Sequence, residues 1–201
     1  MVFVFELENN SDKFFVRELR GPIIDDIEPE GLRLLWPNSL GMVYEDLTKL
    51  RTERLLYPGW ASMQWFALQG DSGGVYFGSH DDTFQTTGLD ADFDLDKLKA
   101  ELSFTKYPIC RKGQTWKSEP IVLMSYKGSW HKAAKRYRKW AQGSWYSDIE
   151  RPEWVKDFSG IQLSILKQQN GEILWNYDDI DRLCDISKES GLDCLGLFGW
   201  T

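Results

Sequence analysis

The chain has 201 residues, of which 42% are hydrophobic and 27% are charged, a composition that fits a globular protein and excludes a disordered one. A formal net charge of -7 argues against nucleic-acid binding through a general electrostatic field. The sequence shows no membrane span and no signal peptide, and its three cysteines match no zinc or disulfide spacing. These features leave the cellular compartment open.

The first two thirds of the chain have the pattern of antiparallel β-structure. Residues 2–8 and 13–19 flank a turn-like stretch and predict a hairpin. Further short strands, separated by turn residues, are predicted at 31–37, 62–69, 73–79, 82–89, 101–109 and 119–126. In the segment 62–69 both alternating faces carry large apolar side chains, which is typical of a central strand. The sequence therefore predicts a mainly β class, with a β-sandwich over residues 1–128.

A helix with one apolar face is predicted from Ser129, its N-cap, to about Gln142. Its apolar stripe comprises Trp130, Ala133, Ala134, Tyr137, Trp140 and Ala141. Lysines and arginines cover the remaining face, which we interpret as solvated rather than as an RNA-binding surface. The helix and the Pro152-containing stretch after it form a predicted connection over residues 129–157.

Residues 158–201 follow a β-α-β pattern, with strands at 160–168 and 192–199 around a helix at 177–191. Strands joined in this way are parallel, with a right-handed crossover. Parallel strands are normally covered on both faces, and one helix covers only one. The pattern therefore predicts the opening of a larger α/β domain.

The carboxyl ends of these parallel strands carry polar and aromatic residues. Lys167, Gln168 and Gln169 end the first strand, and Trp200 follows the second. In (β/α) barrels the active site lies at this end of the strands. A lysine, two amides and an indole suit a polyhydroxylated ligand, although ordinary loop chemistry also explains them.

His80 and Asp81 follow an aromatic strand and form a second candidate site. A histidine beside a carboxylate suits a polar loop, contact with a sugar hydroxyl, or metal binding. The metal alternative lacks a third ligand, because the other histidine, His131, lies on the predicted helix. We therefore assign no metal ligand.

Two further stretches imitate known motifs. Residues 90–101 place acidic side chains at positions one, three, five, seven and twelve of a calcium loop, but Leu95 occupies the sixth position, which requires glycine. We interpret them as an acidic loop that enters a strand, with a calcium-dependent adhesion module as a weaker alternative. Residues 70–74, GDSGG, resemble the sequence around a trypsin-like serine, but a tight turn explains them better.

Three stretches in order, at 57–82, 128–141 and 160–201, resemble an uncharacterised bacterial glycoside-hydrolase-like family. Its members carry a β-supersandwich, a connecting helix and a TIM barrel, and endo-α-N-acetylgalactosaminidases and α-galactosidases or α-glucosidases are more distantly similar. The resemblance implies a supersandwich, a linker helix and the first βαβ unit of an incomplete (β/α)8 barrel over residues 158–201. It also implies that the chain is a fragment.

In such enzymes the catalytic carboxylates lie on later barrel strands, so the resemblance assigns no catalytic residue to this chain. It implies substrate contact by Lys167, Gln168 and Trp200, and less directly by His80 and Asp81. The expected partner is a carbohydrate, with no cofactor, nucleic acid or membrane, and unpaired strand edges predict self-association. The alternative is a non-catalytic carbohydrate-binding or structural β-sandwich module, which would not need the C-terminal βαβ unit.

Overall fold

A computed structural model describes residues 1–145 and 150–199 of the chain. The chain divides into two compact units, Met1–Ser147 and Asp148–Thr201. The strands of the first unit are β1 (Val2–Phe3), β2 (Glu6–Glu8), β3 (Leu19–Ile27), β4 (Arg33–Trp36), β5 (Met42–Tyr44), β6 (Glu53–Tyr57), β7 (Trp65–Gln69), β8 (Gly73–Ser79), β9 (Thr87–Asp94), β10 (Lys99–Lys106), β11 (Thr115–Lys117) and β12 (Ile121–Lys127). Its helix is α1 (His131–Gly143). None of the helices in the described ranges has the length and apolar character needed to cross a membrane.

The first unit is a β-sandwich of antiparallel strands. One sheet has the order β1-β12-β8-β7-β4-β5, and the other has the order β3-β10-β9-β6. Strands β2 and β11 form a separate small pair. The predicted β-sandwich class is confirmed, and the tight turn predicted at residues 70–74 joins β7 to β8 through a hydrogen bond from the Gly70 amide to the Gly73 carbonyl (2.8 Å).

The core of the sandwich consists of the inward-facing side chains of both sheets. Trp36, Phe66 and Phe77 come from one sheet, and Leu89 and Phe104 come from the other. Phe66 and Phe77 stack with their ring centroids 4.9 Å apart. Each of these side chains is almost completely buried. Burial of apolar surface on this scale is the main favourable term in the stability of such a unit.

Helix α1 covers the outer face of the larger sheet. Its buried residues are Ala133, Tyr137 and Ala141, which are spaced by one helical turn and pack against a cluster that includes Trp65 and Tyr76. This packing explains why β7 is apolar on both faces, because one face meets the other sheet and the opposite face meets the helix. The helix begins at His131, two residues after the predicted start, and the Ser129 side chain accepts a hydrogen bond from the His131 amide (3.3 Å).

The predicted N-terminal hairpin is wrong. Strand β1 pairs with β12 and β2 pairs with β11, both far away in sequence. The Asn9 side-chain amide donates to the carbonyls of Phe14 (3.0 Å) and Cys110 (2.9 Å). In the predicted second strand, Val16 forms an isolated bridge with Cys110, whereas Leu19 begins β3 and pairs with Lys106 of β10.

The calcium-loop alternative is also wrong, because residues 90–101 belong to the β9–β10 hairpin. Alternation along β9 places Asp90 and Asp92 on one face of the sheet. Arg54 pairs with Asp90, and Arg20 pairs with both Asp92 and Glu101, at 2.9 Å from the latter. These carboxylates therefore have arginine partners within the sheet.

The second unit contains α2 (Glu153–Lys156), β13 (Ile161–Ile165), α3 (Ile180–Glu189) and β14 (Cys194–Phe198). Strands β13 and β14 are parallel, as the sequence predicts, and Leu163 lies opposite Gly196. The helix α3 buries Leu183 and Ser187. The Ser187 hydroxyl donates to the Cys194 carbonyl (3.3 Å), which ties the helix to the second strand.

Trp140 should stabilise the contact between α1 and the sandwich. Its indole stacks on the His80 ring with centroids 4.6 Å apart and lies 5.3 Å from the Tyr137 ring. We expect Trp140→Ala to lower the free energy of unfolding by about 3 kcal/mol, because it removes a large packed side chain. Urea unfolding measures this change. Trp60→Ala, at a position 74% exposed, is the control and should cost less than about 0.5 kcal/mol. Equal effects would show that the aromatic stripe does not hold α1.

Candidate functional site

The carboxyl ends of β13 and β14 form an open polar site in the second unit. After β13 the chain turns back in a tight loop, in which Lys167 and Ile173 form an antiparallel bridge. The Gln168 amide donates to the Glu172 carbonyl (2.8 Å), and the Gln168 side chain donates to the Glu172 carboxylate (3.1 Å). Asn170 closes the loop by accepting from the Glu172 amide at 3.0 Å. The sequence places these polar residues at a strand end, and the structure adds the hydrogen bonds that shape the loop.

A glycine brings the two strand ends together. Gly199 has a φ of +65°, in the left-handed region that favours glycine. A Cβ at this position would overlap the carbonyl oxygen of Lys167. The Leu166 amide also donates to the Phe198 carbonyl at 2.8 Å. The chain that leaves β14 therefore passes directly beside Lys167.

Two cavities flank the loop. A cavity of about 680 Å³ is lined by the side of the loop that carries Gln168, Gln169 and Asn170, together with apolar residues of both strands. A smaller one of about 140 Å³ is lined by Lys167, Trp175 and Tyr177, among others. The arrangement offers amide and ammonium donors beside aromatic rings, which suits polyhydroxylated ligands. Trp175 and Tyr177 were not predicted as site residues, and the available signal was an aromatic pair shortly before α3.

His80 and Asp81 lie in the first unit and belong to a buried polar cluster. Lys106, at the end of β10, is 2% exposed and donates to Ser79 (2.8 Å), Thr87 (2.7 Å) and Asp81 (3.3 Å). Asp81 is also 2% exposed, and its other carboxylate oxygen accepts from the amide (2.9 Å) and the hydroxyl (2.6 Å) of Thr83. Burial lowers the pKa of Lys106, and the Asp81 charge opposes that effect.

His80 is 7% exposed and is enclosed by aromatic side chains. Its Nε2 atom lies 2.9 Å from the Tyr76 hydroxyl, and its ring stacks on Trp140. Burial lowers the pKa of His80 to about 4, and the charge of Arg136 acts in the same direction. The histidine is therefore neutral near pH 7, where it packs between the sandwich and α1.

The structure brings together Lys167 and Gln168, and it separately brings together His80 and Asp81. The side chains of the second pair are enclosed and have partners within the first unit, which argues for a structural role and against contact with a substrate. Trp200 lies outside the described residues, so its assignment remains a prediction. Within residues 1–145 and 150–199, no group of three or more histidine, cysteine, aspartate or glutamate side chains could hold a metal ion.

Comparison with known proteins identifies the class of fold. No protein-family model and no curated protein matches the chain. Among solved structures it is similar to the α-N-acetylgalactosaminidase NagBb from Bifidobacterium bifidum in complex with GalNAc, with a TM-score of 0.62 and 13% identity over 98% of this chain and 36% of that one. The GH36 α-galactosidase AgaB from Geobacillus stearothermophilus gives a TM-score of 0.47 and 14% identity over 99% of this chain and 29% of its own.

The chain therefore has a glycoside-hydrolase-like fold, at low sequence identity to the solved enzyme. Its β-sandwich is consistent with that fold. It spans about a third of the solved chains that it resembles. At this level of identity the similarity concerns the fold alone.

Removal of the buried lysine should destabilise the sandwich. We expect Lys106→Met to lower the free energy of unfolding by about 3–5 kcal/mol, because it leaves the buried Asp81 carboxylate without its counter-charge. Lys99→Met on the same strand is the control, since Lys99 pairs with exposed carboxylates at 3.2 and 3.4 Å and should cost less than about 1 kcal/mol. Urea unfolding measures both variants.

A double variant tests whether the two charges act together. Asp81→Asn should cost less in the Lys106→Met background than in the parent chain, because the neutral amide no longer leaves an unpaired partner. Additive effects of the two substitutions would contradict the ion pair as the source of stability.

His80 should make stability depend on pH. Because its pKa falls from 6.5 in the unfolded chain to about 4 in the folded one, the unfolded state binds more protons between these values. Stability is fully present above about pH 6.5 and falls as the pH is lowered towards 4, by up to roughly 3 kcal/mol from this group. His80→Gln should flatten that part of the profile of unfolding free energy against pH.

The exposed Trp60 supplies a control that removes no titratable group. Trp60→Ala should leave the slope between pH 6.5 and 4 unchanged. Comparison of slopes separates titration from any constant loss of stability caused by the substitution. Parallel profiles for the parent and His80→Gln would refute the assignment.

Proposed function

We propose that the chain forms part of a carbohydrate-acting glycoside hydrolase. In this proposal the first unit is the sandwich with its connecting helix, and the second unit opens a (β/α)8 barrel that carries the active site. The catalytic carboxylates would lie on barrel strands that this sequence does not contain. The fold similarity to NagBb supports the class of enzyme, and the βαβ unit favours it over a free-standing sandwich module.

The observation that carries the proposal is the uncovered apolar face of the β13–β14 pair. On β13, Ile161, Leu163 and Ile165 are 50%, 59% and 52% exposed, and Phe198 on β14 is 56% exposed. Ser164 and Leu166, which point to the opposite side, are buried. Parallel strands are normally buried on both faces. In a (β/α)8 barrel, branched aliphatic residues of this kind fill the interior.

The proposed substrate contacts lie at the carboxyl ends of the same strands. Lys167 and Gln168 would donate hydrogen bonds to sugar hydroxyls, and Trp200 would offer a flat apolar face to the ring. Trp175 and Tyr177 line the neighbouring cavity and extend the set of candidate contacts. No residue of this chain is proposed to act as the acid, base or nucleophile.

Titration with sugars, followed by NMR of the isotopically labelled chain, tests the proposed contacts. Because NagBb was solved in complex with GalNAc, methyl α-GalNAc is the first ligand to titrate, and methyl α-galactoside is the second. We expect shifts confined to the amides of residues 167–175 and Gly199, and about a fivefold loss of affinity in Gln168→Ala from one lost hydrogen bond. Gln142→Ala on α1 is the control. Absence of binding, or shifts confined to the first unit, would contradict the proposal.

The chain alone should hydrolyse no glycoside. Hydrolysis needs two carboxyl groups about 5–10 Å apart on either side of the scissile bond, and the proposal assigns them to other strands. A panel of α- and β-linked nitrophenyl glycosides measures turnover by the purified chain. Turnover that disappears in Glu172→Gln would show that the loop after β13 performs the chemistry, and the proposed division of roles would be wrong.

A further inference from the structure

The exposed side of α1 is strongly cationic. The cationic face comprises Lys132, Lys135, Arg136, Arg138 and Lys139. The segment 131–143 contains no aspartate or glutamate. Four of the five side chains are exposed and Arg136 is half-buried. The row from Lys132 to Lys139 extends about 10 Å along the helix axis.

The cationic face differs from the other basic surfaces of the first unit in its ion pairing. In the described part of the chain, none of its five side chains forms an ion pair, whereas Lys49, Lys97 and Lys117 on other surfaces each pair with a carboxylate. Like charges three and four residues apart on a helix repel each other. The chain as a whole has a charge of -7, so this concentration of positive charge does not follow from its composition. An anion from outside the chain would relieve the repulsion.

The cationic face is held in place by the opposite face of the helix. Ala133, Tyr137 and Ala141 are buried against the sandwich, and Trp140 stacks on His80. The helix therefore presents its charges on a fixed surface, so binding does not have to order the helix first.

The surroundings of the charges favour a flexible, hydrophilic polyanion. Insertion into a bilayer requires exposed apolar side chains on the same helix, and single-stranded nucleic acid is bound through exposed aromatic rings. Tyr137, which lies between the cations, and Trp140, which follows Lys139, instead face the sandwich. Trp130, 38% exposed, stacks on His131 at the start of the helix. We propose that the cationic face binds acidic glycans, polysaccharides that carry carboxylate or sulfate groups. The choice of a glycan among polyanions rests on the proposed carbohydrate-acting function.

Binding of the full chain to polygalacturonate and chondroitin sulfate, with neutral dextran as the reference, tests the inference. We expect binding to both acidic polymers that weakens as salt is raised, and none to dextran. The combined variant Lys132→Gln, Lys135→Gln and Lys139→Gln should bind roughly tenfold or more weakly, because each lysine near an anionic surface contributes to affinity. Glutamine retains helix propensity, and circular dichroism and thermal unfolding verify the fold.

A control with the same change in charge is available elsewhere on the first unit. The combined variant Lys49→Gln, Lys97→Gln and Lys117→Gln removes three positive charges from surfaces away from α1, and its affinity should change by less than about twofold. Equal losses in the two variants, or no binding by the parent, would overturn the inference. Tighter binding to single-stranded DNA or to anionic vesicles would assign the face to that partner and overturn the glycan.

The monosaccharide titration separates this inference from the proposed function. The triple variant on α1 should bind neutral methyl glycosides as the parent does, because those ligands carry no charge. Loss of polysaccharide binding with intact monosaccharide binding confirms a second site on α1. Monosaccharide binding without any binding of acidic polymers refutes only the inference about α1.

Discussion

The ion pair between Lys106 and Asp81 links the two sheets of the first unit to the loop that contacts α1. Lys106 belongs to the smaller sheet, whereas its partner Ser79 ends β8 in the larger sheet, so one ammonium group joins both layers. A buried lysine is tolerated only where such partners replace its hydration. The loop that carries Asp81 also carries His80, whose ring stacks on Trp140 of α1. The same loop therefore connects the buried charge pair to the helix that carries the cationic face.

The sequence predicts the parts of this fold whose signal is local. The stripe of α1, the central position of β7 and the parallel βαβ unit follow from periodicity that a short window contains. The predicted N-terminal hairpin is wrong because β1 and β2 pair with β12 and β11, which lie far away along the chain. The burial of Lys106 could not be predicted from the sequence either, since a lysine near the end of a strand is normally exposed. Its burial depends on Ser79, Asp81 and Thr87, which lie between the end of β8 and the start of β9.

The candidate site also combines features that local sequence predicts with features that depend on distant contacts. Lys167 and Gln168 could be placed at a strand end from the alternation of β13 alone. The loop that positions them depends on backbone hydrogen bonds and on the close approach of Gly199, which no residue pattern in the loop encodes. His80 and Asp81 were predicted from sequence as candidate substrate contacts, and the structure places both side chains in a buried cluster. A histidine beside a carboxylate has the same sequence signal whether it faces a ligand or a core.

The cover that α1 provides for the larger sheet has a consequence for how the chain can be divided. Antiparallel sheets in a sandwich usually keep one polar, solvated face. Here Trp65, Ala67 and Tyr76 lie beneath the helix, so the sheet has no such face. A protease that cut between β12 and α1 and so removed the helix would leave an exposed apolar, aromatic surface on the larger sheet. A gene rearrangement that moves this sandwich into another protein must therefore include α1. The smallest transferable unit extends beyond β12.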